Sequence, residues 1–113
     1  MVTRYVPDTG DLVWLTFDPQ SGAEQAGRRP ALVLSPRAYN HATGLAVMCP
    51  VTSKQKGYAF EVALPEGKSI PGVVLSDHLK SLDWRARKAV FAGAAPAAML
   101  AEVRARVKAL LGI

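Results

Sequence analysis

The sequence predicts a mainly β fold: a small, strongly bent antiparallel sheet or barrel, followed by one C-terminal helix. Three observations carry that prediction. Short apolar runs recur at close spacing between turn-rich segments; the last run alone switches to a helical period; and 113 residues fit one domain, 1–113, with little room for a second.

The elements follow in order. Residues 11–17 (DLVWLTF) read as a first strand after the turn PDTGD, residues 31–35 (ALVLS) as a second and residues 45–51 (LAVMCPV) as a third. In residues 60–64, Phe60, Val62 and Leu64 alternate with an outward Glu61, the pattern of a half-buried strand. Residues 72–82 (GVVLSDHLKSL) begin as another, and residues 87–93 (RKAVFAG) close the set. From Pro96 to Leu111 the apolar positions Met99, Leu100, Val103, Val107, Leu110 and Leu111 recur at helical spacing. Pro96 suits the first turn and Gly112 the stop, while Arg104, Arg106 and Lys108 complement the helix dipole. Two loops, residues 18–28 and 52–59, are long for so small a chain and carry glycine, as functional loops do.

Fourteen Lys and Arg against nine Asp and Glu leave a net charge of +5. That charge suits a polyanionic partner, and equally a solvated basic surface. The single cysteine, Cys49, lies in an apolar run and is expected in the core, which leaves no internal disulfide and no cysteine-rich zinc site. MVTRYVPDTG lacks an apolar signal core, and AVFAGAAPAAMLA is too short to span a bilayer, so a cytoplasmic, soluble protein is expected.

The carboxylates are scattered, and His41 and His78 stand alone, which disfavours a metal centre. There is also no phosphate-cradling glycine loop and no nucleophile elbow. His41, in the loop YNHATG, is expected to be an ordinary surface residue. The informative groups lie beside the strands. Arg28 and Arg29 precede Pro30, Thr52 and Ser53 follow the third strand, and Lys54 and Lys56 flank Gly57-Tyr58. DHLKS and WRARK add further charges and an aromatic. Cations interleaved with aromatics suit single-stranded nucleic acid. The alternative for Trp14, Trp84 and Tyr58 is barrel core, and Trp14 is expected there.

The stretches RYVPDTGDLVWLTFDPQSGAEQAGRRPALVLSP, VTSKQKGYAFEV and SDHLKSLDWRAR together resemble the MazF/PemK-like family, endoribonuclease toxins of bacterial toxin–antitoxin pairs. The resemblance covers almost the whole chain and is weakest in the terminal helix. It implies an SH3-like barrel of five to seven strands and a homodimer. It further implies ribosome-independent, metal- and cofactor-free cleavage of single-stranded mRNA at a short ACA-like motif, leaving a 2′,3′-cyclic phosphate and a 5′-hydroxyl. The implied partner is a MazE-like antitoxin whose acidic C-terminal segment fills the RNA groove, with DNA reached only through the antitoxin complex.

Carried over by position, the resemblance makes Arg29 and Thr52 the catalytic pair. Glu24, Asp77 and His78 match RNA-contacting positions. Arg28, Lys54, Lys56, Tyr58, Lys80, Arg85 and Arg87 complete the expected RNA surface. Many relatives hold glutamine where this chain has His78. The PemK/Kid branch uses a histidine in the first loop and an arginine two residues before the aspartate; here those places hold approximately Ala23 and Leu75, which supports the Arg–Thr version. A guanidinium fork matches phosphate oxygens, but arginine does not readily lose its proton, so the base stays open between Arg29, Glu24 and Asp77. Two other readings stand beside this one: a basic barrel that only binds nucleic acid, and a CcdB-like topoisomerase poison, which has no need of the Arg29–Thr52 pair.

Overall fold

Alternating apolar residues bend the chain into seven strands because both faces of the central strands must be covered. The computed structural model describes residues 5–17, 27–66 and 70–113. The order is β1 (Asp11–Thr16), β2 (Arg28–Val33), α1 (Arg37–Thr43), β3 (Leu45–Thr52), β4 (Glu61–Ala63), β5 (Val73–Leu75), β6 (Lys80–Asp83), β7 (Val90–Ala94) and α2 (Ala97–Leu111). All pairings are antiparallel. The sheet runs β4-β5-β3-β2-β1-β7, with β6 paired to β3 off this path. The expected seven-strand, helix-ended architecture is therefore present. Among the described residues, though, the ladder does not close into a barrel: β4 and β7 end the path unjoined.

β1 explains the curvature. Leu12 joins a core with Leu32, Cys49, Val51, Val74, Met99 and Val103, whereas Val13 and Leu15 join a second core with Ala31, Val33, Met48 and Trp84. Consecutive residues of a strand point to opposite faces, so β1 is buried on both. Each such apolar side chain contributes roughly 1.5–3 kcal/mol by leaving water. α2 covers the first core with Met99 and Val103, while Leu110 and Leu111 at its end are exposed. Arg106 ties the helix to the sheet side, donating from Nε to the Ala59 carbonyl at 2.9 Å.

Four expectations are corrected. Arg28 and Arg29 lie inside β2, opposite Thr16 and Leu15, and not ahead of it. Pro30 is tolerated there because β3 pairs with β2 only from Ala31 onward, so its missing N–H faces an edge already free. Residues 72–82 form two strands, split by a turn at Ser76-Asp77 in which the His78 N–H bonds the Leu75 carbonyl at 3.1 Å. The segment containing His41 is the helix α1, stopped by Gly44 at φ 74°. Finally, Trp14 is 37% exposed, and Trp84, 6% exposed, is the core indole. Trp14 shares the Leu12 face of β1, where the first core has opened to solvent.

α1 is anchored by one side chain. Buried Asn40 donates from Nδ2 to the Pro7 carbonyl (2.8 Å) and the Ser35 carbonyl (3.0 Å), and its Oδ1 accepts from Ser35 Oγ at 2.6 Å. Its carbonyl accepts from Trp84 Nε1 at 2.9 Å. Among the described residues no helix is long and apolar enough to cross a membrane.

Candidate active site

The site forms where two neighbouring strands part. β3 pairs with β2 through Ala31↔Pro50, Leu32↔Cys49 and Val33↔Met48, then turns away, pairing Val51 and Thr52 with Val74 and Val73 of β5. The gap is a cleft of about 410 Å³ lined by Trp14, Arg29, Pro30, Val51, Thr52 and Lys54. Arg29 and Thr52, 23 positions apart in the chain, thus face one space because their strands separate beside both. Restricted rotamers of β-branched Thr52 and the ring of Pro30 limit local freedom.

Thr52 is further held by its own backbone. Gly72, at φ +120°, lies so close that an added Cβ would stand 2.2 Å from the Thr52 carbonyl oxygen. No side chain fits there. Thr52 Oγ1 accepts from the Lys54 N–H at 3.2 Å, which leaves its own hydroxyl proton free to donate. Sequence reasoning missed this close approach; a Pro-Gly dipeptide at 71–72 marks a bend, but its place at Thr52 is visible only in the register of β3 with β5.

A second cleft of about 200 Å³ continues from the first, sharing Thr52 and Lys54 and adding Lys56, Tyr58, Glu61 and His78. Glu61 shapes the loop above it by accepting from the N–H groups of Lys56 (2.9 Å) and Gly57 (2.8 Å). Tyr58 Oη donates to Asp77 Oδ1 at 2.8 Å, and His78 Nε2 lies 3.9 Å from the same oxygen. The hydrogen bond to Asp77, with smaller contributions from desolvation and the charges of Asp77 and Glu61, raises the Tyr58 phenol above its ordinary pKa. Arg29, Thr52, Lys54, Lys56, Tyr58, Asp77 and His78 therefore gather along one groove.

The other expected RNA residues go elsewhere. Arg28 is a strand clamp: its guanidinium donates to Thr16 Oγ1 (3.1 Å) and to the carbonyls of Trp14 (3.0 Å) and Lys88. Arg87 donates to the Thr16 carbonyl at 3.1 Å. Arg85 stacks on Trp84, 4.7 Å from the ring centroid, and donates to the His41 carbonyl at 3.1 Å. Backbone carbonyls engage all three guanidiniums, and none of the three lines either cleft. Lys80 is exposed at the start of β6 and lines neither cleft, and Glu24 lies outside the described residues. His41 is exposed, as expected, and Cys49 is buried, where desolvation pushes its thiol up to about 12. Among the described residues no three His, Cys, Asp or Glu side chains cluster as metal ligands would.

Residues 8–111 match the family model described as PemK-like, MazF-like toxin of type II toxin–antitoxin system. The chain belongs to this family. It is 50% identical over 112 residues to the endoribonuclease toxin MazF of Escherichia coli strain K12, covering 99% of this chain and 100% of that relative. The crystal structure of MazF (Form-I) from Deinococcus radiodurans superposes with a TM-score of 0.89 at 62% identity, covering 97% of this chain and 100% of that one. The MazE–MazF complex (Form-II) of the same organism gives 0.88 at 57% identity, covering 97% and 99%. The MazF-like arrangement of sheet and terminal helix is thus the fold of this chain.

Proposed function

We propose that the protein is a sequence-specific, metal-independent endoribonuclease toxin. It cleaves single-stranded mRNA at a short, ACA-like motif without the ribosome and is neutralised by a MazE-like antitoxin. The observation that carries this reading is the shared cleft of Arg29 and Thr52 at the parting of β2 and β3. The 50% identity to an endoribonuclease toxin supports it.

The chemistry follows from the groups present. Arg29 directs a fixed, forked cation at the scissile phosphate, strongest where charge builds on the phosphorane. Thr52 donates its hydroxyl proton to a phosphate oxygen. Attack by the 2′-oxygen and loss of the 5′-oxygen leave a 2′,3′-cyclic phosphate and a 5′-hydroxyl. Lys54 and Lys56 neutralise neighbouring phosphates, and Trp14 and Tyr58 offer rings at the groove for bases to stack on. The same cations suit an acidic, partly disordered antitoxin segment, which would exclude RNA by occupying the groove of a homodimeric toxin.

The test is incubation of purified protein with a long unstructured RNA in excess EDTA. Discrete fragments with cyclic-phosphate ends are expected. Retardation without cuts would leave a binding protein, and loss of cleavage restored by Mg²⁺ or Mn²⁺ would overturn the metal-free mechanism.

A further inference from the structure

Cleavage that begins with the 2′-oxygen needs a group to take its proton, and the groove restricts which one can. Lys54 and Lys56 are cations. Arg29 keeps its proton at any working pH. The Glu61 carboxylate is taken up by the Lys56 and Gly57 N–H groups, and Asp77 accepts from Tyr58. Tyr58, by that same bond, holds its proton. Glu24 lies outside the described residues; among the described residues of the groove, the group that is left is the imidazole of His78, a side chain suited to general-base work. Among the described residues neither of its ring nitrogens is taken up by a hydrogen bond, and its side chain is half exposed to the groove.

We infer that His78 is the general base of the reaction, backed by Asp77. This rests on the ribonuclease reading above. Thr52 lines both clefts, so a phosphate bound at Thr52 has Arg29 on one side and His78 on the other. His78 Nδ1 takes the 2′-hydroxyl proton as the 2′-oxygen–phosphorus bond forms. The phosphorus–5′-oxygen bond breaks, the leaving oxygen takes a proton from water, and the imidazolium returns its own to solvent. The Asp77 carboxylate, 3.9 Å from Nε2, stabilises the imidazolium as it forms. Lys54 and Lys56 oppose that charge across the same cleft, so the carboxylate is required. Base reading and proton transfer are separable roles, and this assigns His78 the second.

The experiment is single-turnover cleavage of an RNA with one mapped cut site, from pH 5 to 9. The wild-type rate is expected to rise about tenfold per pH unit on the acid side and then level. His78→Gln is expected to lose about 10²-fold in rate, the lower end of general-base contributions, together with the acid limb. Affinity for an uncleavable copy carrying a 2′-deoxy cut site stays within about threefold. His78→Gly is expected to regain activity with added imidazole, which a purely structural role would not allow. A His78→Gln variant that keeps rate and acid limb while cutting a broader set of sequences would show that His78 reads a base, and would overturn the inference alone. A wild-type protein that cuts no RNA would overturn the ribonuclease reading and this inference together.

Discussion

Two of the basic hollows among the described residues differ in how firmly their polar groups are already engaged. The groove at Arg29 and Thr52 and the roughly 570 Å³ hollow at Tyr5, His41, Trp84, Arg85 and Lys88 both hold cations, a tryptophan or tyrosine and a histidine. In the second, Arg85 is laid on Trp84 and bonded to the His41 carbonyl, and the Lys88 carbonyl is held by Arg28. In the first, the Thr52 hydroxyl proton has no acceptor among the described residues, and Lys54 and Lys56 are exposed. Charge therefore does not separate the two hollows. What separates them is which polar groups the fold holds in place yet leaves with valence to offer.

The largest expected effect tests the free side of that comparison. Arg29→Ala and Thr52→Ala should each lose about 10²-fold or more in cleavage while remaining folded, the scale of one lost transition-state contact. Arg29→Lys should also be poor, since a point charge does not reproduce a fork. Rates near wild type in either alanine variant would place the chemistry elsewhere.

Arg28→Ala breaks the comparison from the other direction. Arg29 is the proposed substrate contact, whereas Arg28 closes β1 against the turn before β7, so its loss should appear as a drop in stability of about 1–3 kcal/mol in denaturant titration. Intact stability with lost RNA binding would reassign it to the groove.

Salt dependence sharpens the contrast further. Lys56→Ala should flatten the plot of log affinity against log salt by about 0.7 for single-stranded RNA, and Arg85→Ala should leave the slope nearly unchanged. Equal slopes in both variants would mean that both hollows touch phosphate.

The smallest effect concerns neither hollow. Asp8 accepts from the backbone N–H groups of Arg37 and Thr9, which lower its pKa. A depressed carboxylate stabilises the fold above its unfolded value, near 3.9, and that contribution is lost as pH falls through the folded one. Asp8→Asn should therefore reduce the loss of stability below about pH 4, as read from acid unfolding curves.

The legibility of the sequence followed the physics of each element. β1 and β3 announced themselves as short apolar runs, because strands buried on both faces carry apolar residues at consecutive positions, and α2 through its helical period. α1 did not: seven residues with only Asn40 buried give no period to detect. Trp14 was misread because size and apolarity say nothing of where a bent sheet opens. Arg29 and Thr52 came from resemblance; no spacing rule places together two residues whose meeting depends on β3 changing partners. Arg28, Arg85 and Arg87 looked equivalent to the groove cations as charges, since a sequence does not show which carbonyls lie within reach.

Asn40 has a consequence in time. A helix of seven residues is too short to persist alone in water. Its central side chain bonds to Pro7, and its carbonyl to Trp84, 33 and 44 positions away. Both distant segments must arrive before α1 holds, so it should be unformed in the folding transition state. Replacing Asn40 by alanine should then leave the refolding rate nearly unchanged and speed unfolding, by about tenfold for each 1.4 kcal/mol lost, in stopped-flow measurements.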